Sequence, residues 1–162
     1  IKSNRIKELL EVLEETDGKV IIWAVYRYDI QEIERTLGEK YGKESVATYY
    51  GDTKDSIRQS IVDRFMDADD PLRFFVGNPK TGGYGLTLTS SHTVVYYSND
   101  YSLEVRLQSE DRAHRIGQTS KVTYVDLMAD HTIDEKIVKA LNAKIDLAGQ
   151  VMGEDPKKIL FG

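Results

Sequence analysis

The segment KVIIWAVY, residues 19–26, carries an unbroken apolar run from Val20 to Tyr26. A strand with one wet face alternates apolar and polar residues, so a run without polar breaks reads as a strand covered on both sides. Four further runs read as strands: SVATYY (45–50), LRFFV (72–76), TVVYY (93–97) and KVTYVDLM (121–128). Helical patterns separate them. IKELLEVLEE puts Ile6, Leu9, Leu10 and Leu13 on one face, and DIQEIERTL does the same with Ile30, Ile33 and Leu37, its Asp29 and Glu32 standing at capping-box spacing. A third helix carries Ile57, Ile61 and Phe65, and a closing helix is expected from Thr132 to about Gln150, with Glu135 completing a second capping box. Strands alternating with helices imply an α/β fold of three layers, a parallel sheet of about five to six strands with helices on both faces. Ligands of such sheets gather at the carboxyl ends of the strands.

The chain of 162 residues is long enough for one domain with a sizeable core, and no repeat or linker divides it. It starts at Ile1 rather than Met, as a piece of a larger protein would. The absence of cysteine rules out a disulfide scaffold and suits a reducing, intracellular setting. No apolar run approaches the roughly 18 residues of a membrane span, and no signal peptide is visible. A net charge of -5 argues against a surface coated for nucleic acid while leaving room for a local basic groove.

Two stretches look chemical. In GNPKTGGYGLTL, Gly82, Gly83 and Gly85 permit close backbone approach to an outside group, Lys80 adds charge beside them, and the loop follows a strand. In RLQSEDRAHRIGQ (106–118), Gln108, Arg112 and Arg115 share one helical face, Ser102 offers an N-cap, and Gly117 stops the helix. Arginines on one face make a donor array matched to phosphate oxygens, although a solvated, salt-bridged helix is the ordinary alternative. LGEKYGKES is no phosphate loop. Only three residues separate Gly38 from Gly42, and Glu44 follows Lys43, so it reads as a helix C-cap and turn. Asp100 reads as a solvent-side turn residue, and the three histidines show no metal-ligand spacing.

QSEDRAHRIGQ closely resembles the last helicase motif of SWI/SNF-type DNA translocases of superfamily two, and KTGGYGLTL resembles the motif before it. YYGDTKDSIRQSIVDRF, VTYVDLMADHTIDEKI and KKILFG resemble further segments of that family in the same order. The resemblance implies that residues 1–162 form the second of two RecA-like lobes, the first lobe of the same polypeptide holding most of the ATP and Mg2+. It implies that Arg112 and Arg115 reach toward the nucleotide phosphates, that Gln108 positions them, and that Gly83 and Gly85 line the nucleotide cleft. It places Lys80, Thr81 and the turn containing Gly51, Thr53 and Lys54 near the backbone of double-stranded DNA; Arg27, itself a departure from the family pattern, could still meet a phosphate. The sequence departs from the family at Asn78 and Pro79 (usually Ser-Thr), at Thr87 (usually Asn), at Ser98 to Ser102, and at Tyr26 and Arg27. The rival reading is a non-catalytic α/β module for nucleic acid or protein. A signalling receiver would need an acid cluster at strand ends, and a simple DNA-binding module would bind tightly without a second lobe.

Overall fold

The computed structural model describes residues 4–81, 86–99, 102–113 and 121–127. Along the chain run α1 (Arg5–Glu14), β1 (Val20–Trp23), α2 (Arg27–Tyr41), β2 (Val46–Tyr49), α3 (Asp55–Met66), β3 (Phe74–Gly77), β4 (Thr93–Tyr96), α4 (Leu103–Ala113) and β5 (Thr123–Asp126). The five strands form one sheet in the order β2-β3-β1-β4-β5, every neighbouring pair parallel. The expected closing helix lies outside the described residues.

The unbroken apolar runs are explained by two covered faces. In β1, Val20 and Ile22 join a core with Leu9 and Leu13 of α1 and Ile30, Ile33 and Leu37 of α2. Ile21 and Trp23 point the other way, toward Ile61, Val62 and Phe65 of α3 and Ala113 of α4. The same alternation divides Phe74 and Val76 from Phe75 in β3, and Val95 from Val94 and Tyr96 in β4. Period-two geometry thus sorts one apolar string into two cores. Each fully buried Leu, Ile or Phe contributes about 1.5–3 kcal/mol. The edge strands β2 and β5 are only partly covered, which is why ATY and TYV tolerate polar positions.

Several local expectations shift. β1 ends at Trp23 rather than Tyr26, because the chain turns there: Ala24 N–H still donates to Gly77 O at 2.9 Å, while Tyr26 serves as the N-cap residue of α2 and is exposed. Helix α2 therefore starts before Asp29, which sits buried in its first turn instead of capping it. Ile57 is 48% exposed in the first turn of α3, and Val62 takes the inward place beside Ile61 and Phe65. Gly42 does close α2, at φ 96° with its N–H bonded to Gly38 O, a dihedral that favours glycine.

Candidate functional site

Because all strands run the same way, their carboxyl ends align on one edge: Tyr49 with Gly77, Gly77 with Trp23, Trp23 with Tyr96, and Tyr96 with Asp126. The residues that follow these ends carry the candidate site.

On the β2, β3 and β1 side, three connections meet. Arg27, just past β1, is exposed and pairs with Asp52 at 3.0 Å, which joins it to the turn at Gly51 to Lys54. Gly51 and Lys54 are exposed. Thr53 is used inside the turn: its hydroxyl donates to Thr48 O and accepts Tyr50 N–H, both at 3.1 Å. Arg58 of α3 braces the turn from below, donating to Thr53 O and Tyr50 O. After β3, Asn78 reaches across to Val25 O with its amide and accepts Lys80 N–H, while Thr81 N–H donates to Asn78 O. Asn78, a departure from the family pattern, is thus the residue that shapes this loop. Lys80 is exposed and Thr81 partly so. Arg27, Gly51, Thr53, Lys54, Lys80 and Thr81 therefore all lie along the β2-β3-β1 half of the edge.

On the β4 and β5 side lies α4, the polar helix. Ser102 caps it, its Oγ accepting Val105 N–H at 3.3 Å. Gln108 is half-exposed and donates to Glu104 at 3.2 Å. Arg112 departs from the expectation of a bare cationic face. It is only 3% exposed, and its carbonyl accepts Leu88 N–H at 2.8 Å, tying the end of α4 to the far end of the glycine-rich loop. Arg115, Gly83, Gly85 and Asp100 lie outside the described residues.

The helix is polar for a reason that local sequence spacing did not reveal. Arg106 stacks 3.4 Å over the Tyr96 ring and forks onto Asp126 at 2.6 and 3.0 Å. It also donates to Asn99 at 2.7 Å and Glu110 at 3.3 Å. Burial works against its charge, yet hydrogen bonding to Asp126 and the nearby Tyr96 and Glu110 raise its pKa above the ordinary arginine value. Tyr96 donates to or accepts from Ser109 at 2.7 Å, and burial pushes its phenol well up. Tyr124 of β5 donates to Glu110 O at 3.2 Å. The available clue was Glu110 at four residues from Arg106; Asp126 could be matched to Arg106 only once β4 and β5 were paired.

Among the described residues no group of three or more His, Asp or Glu is arranged to hold a metal ion. No described helix is long and apolar enough to cross a membrane.

A five-stranded parallel sheet with helices on both faces and a charged helix at its carboxyl edge defines a RecA-like α/β lobe. The helicase conserved C-terminal domain matches residues 2–117, and the chain belongs to that family. ATP-dependent helicase fft2 of Schizosaccharomyces pombe is 33% identical over 156 residues, which is 95% of this chain and 12% of the relative. The SWI/SNF chromatin-remodeling complex subunit snf22 of the same organism is 36% identical over 102 residues, 63% of this chain and 6% of the relative. Among solved structures, the C-terminal part of the Fun30 ATPase domain superposes with a TM-score of 0.76 at 26% identity, covering 86% of this chain and 46% of that one. The SWI/SNF-type resemblance and the RecA-like fold expected from the sequence are borne out. The chain spans only a small part of these curated relatives.

Proposed function

We propose that residues 1–162 are the second motor lobe of an ATP-dependent translocase on double-stranded DNA, working with a first RecA-like lobe of the same polypeptide inside the cell. The observation that carries this reading is the family match over residues 2–117, which takes in β1 to β4 and the polar helix α4.

In this reading the edge divides its work. The β4-β5 half addresses ATP held mainly by the first lobe: Gln108, Arg112 and Arg115 of the polar helix and its continuation, with Gly83 and Gly85 beside them. The β2-β3-β1 half grips the DNA backbone through Arg27, Gly51, Thr53, Lys54, Lys80 and Thr81. Because the hydroxyl of Thr53 is spent inside its turn, Lys54 is the better phosphate partner there. Mg2+, held by the first lobe, neutralises phosphate charge when bound.

Phosphoryl transfer leaves the protein little covalent work, so positioning and charge stabilisation dominate. An arginine inserted at the transferring phosphate is worth about 10³–10⁵ in rate, or roughly 4–7 kcal/mol of barrier. A surface ion pair supplies about 0–1 kcal/mol by comparison. Arg112 is covered in the lobe by itself, so this reading requires its guanidinium to turn outward when the first lobe docks.

The test is steady-state ATP turnover of the intact protein with DNA present. Arg112→Ala and Arg115→Ala are each expected to lower kcat by about 10³-fold or more with a smaller effect on ATP binding, since the contact belongs to the transition state. The isolated chain is expected to turn over negligibly. Normal hydrolysis by either variant, or appreciable turnover by the isolated chain, would overturn the division of labour.

A further inference from the structure

Arg106 stands in the first half of the polar helix without belonging to the set that addresses ATP. Its side chain is 10% exposed, and its guanidinium faces two carboxylates, Asp126 and Glu110, so its charge is more than matched inside the lobe. The gap beside it, bounded by Pro79, Tyr96, Ser98 and Asn99, is about 10 Å3, room for no more than one water and none for a phosphate. Asn99 closes a triangle by donating to Asp126 at 3.2 Å. Ser109 donates to Arg106 O at 2.7 Å while meeting the Tyr96 hydroxyl. One side chain thereby laces three pieces of the fold: the end of β4, the first half of α4 and the end of β5.

We infer that Arg106 is a positioning residue for ATP hydrolysis: its fork on Asp126 and its stack on Tyr96 fix α4 against the sheet edge. The inference rests on the reading of that edge given above. A helix is a stiff rod, so Gln108, within the same turn, and Arg112, on the turn that follows, inherit the placement of Arg106. A planar fork fixes both direction and roll of the helix, which a point charge cannot do. A misplacement of about 1 Å at a catalytic group can cost up to about 10²-fold in rate.

The experiment uses the intact protein and compares Arg106→Lys, Asp126→Asn and the double variant. For each, kcat, KM for ATP, DNA affinity and thermal unfolding are measured, with the assay well below the lowest unfolding temperature. Arg106→Lys keeps the charge and loses the fork. It is expected to lower kcat by about 10- to 100-fold, with KM for ATP and DNA affinity changed less than about twofold. Asp126→Asn should do the same, and the double variant should be no worse than the weaker single one, because both remove one contact. Should Asp126→Asn fail to fold, Glu110→Gln takes the charge out of the 3.3 Å contact while leaving the Asp126 fork in place, and is expected to show a smaller kcat loss of the same kind. A folded Arg106→Lys protein with wild-type kcat overturns the inference. So does a rise in KM for ATP at unchanged kcat, which would make Arg106 a direct nucleotide ligand. Arg112→Ala in the same assay separates the two levels. If that variant hydrolyses ATP normally, the edge has been misread; if it is slow while Arg106→Lys is normal, only the positioning role fails.

Discussion

Replacing Gly77 by alanine puts a methyl group where the sheet has no room. Gly77 ends β3 between β2 and β1, and a Cβ there would stand 2.8 Å from Tyr49 O, 3.1 Å from Trp23 Cζ3 and 3.2 Å from Phe75 Cε1. The tightest neighbour is backbone. Tyr49 O accepts Asn78 N–H, so it cannot retreat without loosening the loop that carries Lys80 and Thr81. The rings could give only by leaving their packed positions in the second core. Overpacking of this kind costs about 1–3 kcal/mol, which for a chain of this size lowers the unfolding midpoint by about 2–12 °C. Gly51→Ala is the matched comparison: nothing lies within 4 Å of a Cβ there and its φ is negative, so its effect on stability should stay within about 0.5 kcal/mol. The assay is thermal and urea unfolding of both variants followed by far-ultraviolet circular dichroism. Equal stability of the two variants would refute the steric argument.

Ser98 is fully buried and its Oγ accepts Val25 N–H at 2.8 Å, so Ser98→Ala strands a donor. Because Val25 is half-exposed, the expected cost is the lower range, about 1–2 kcal/mol, read as a drop in the urea midpoint at unchanged slope; no drop would mean water replaces the hydroxyl. Asp70 provides a pH test. Hydrogen bonding from Leu72 N–H at 2.9 Å outweighs burial and, with Arg64, holds its carboxyl below the ordinary 3.8. A depressed carboxyl stabilises the fold above pH 3.8, and that stability is lost as pH falls through the lower folded value. Asp70→Asn should therefore be less stable than the wild type near neutrality, with the gap closing in acid; a gap independent of pH would contradict the linkage.

The parallel sheet was legible because burial on both faces leaves its mark on consecutive residues, as in Val20 to Trp23. Strand ends were harder, since the apolar letters of Ala24 to Tyr26 serve a turn and an exposed helix start as well as a strand. The glycine-rich loop follows a strand in the sequence and so points to the carboxyl edge by itself, whereas the turn at Gly51 to Lys54 stands out only through the family resemblance. The polar helix was only half understood. Composition shows that α4 carries many charges, but not which of them look outward. Arg106 and Arg112 are alike in the sequence, and the pairing of β4 with β5 is what delivers Asp126 to the first of them. Contacts between distant segments are decided by topology, and local spacing does not encode them. Asn78 and Ser98 show the same limit. Both look like departures from a pattern, and both turn out to bond Val25 across strands.

The place of β1 at the middle of the sheet also bears on how the chain is made. Its partners begin at Phe74 and Thr93, far downstream, so neither side of this very apolar segment can be zipped up until β3 and then β4 have left the ribosome. Such distant parallel pairing is slow and leaves sticky surface waiting in the meantime. During synthesis, Val20 to Trp23 is the stretch that most needs shelter from other nascent chains.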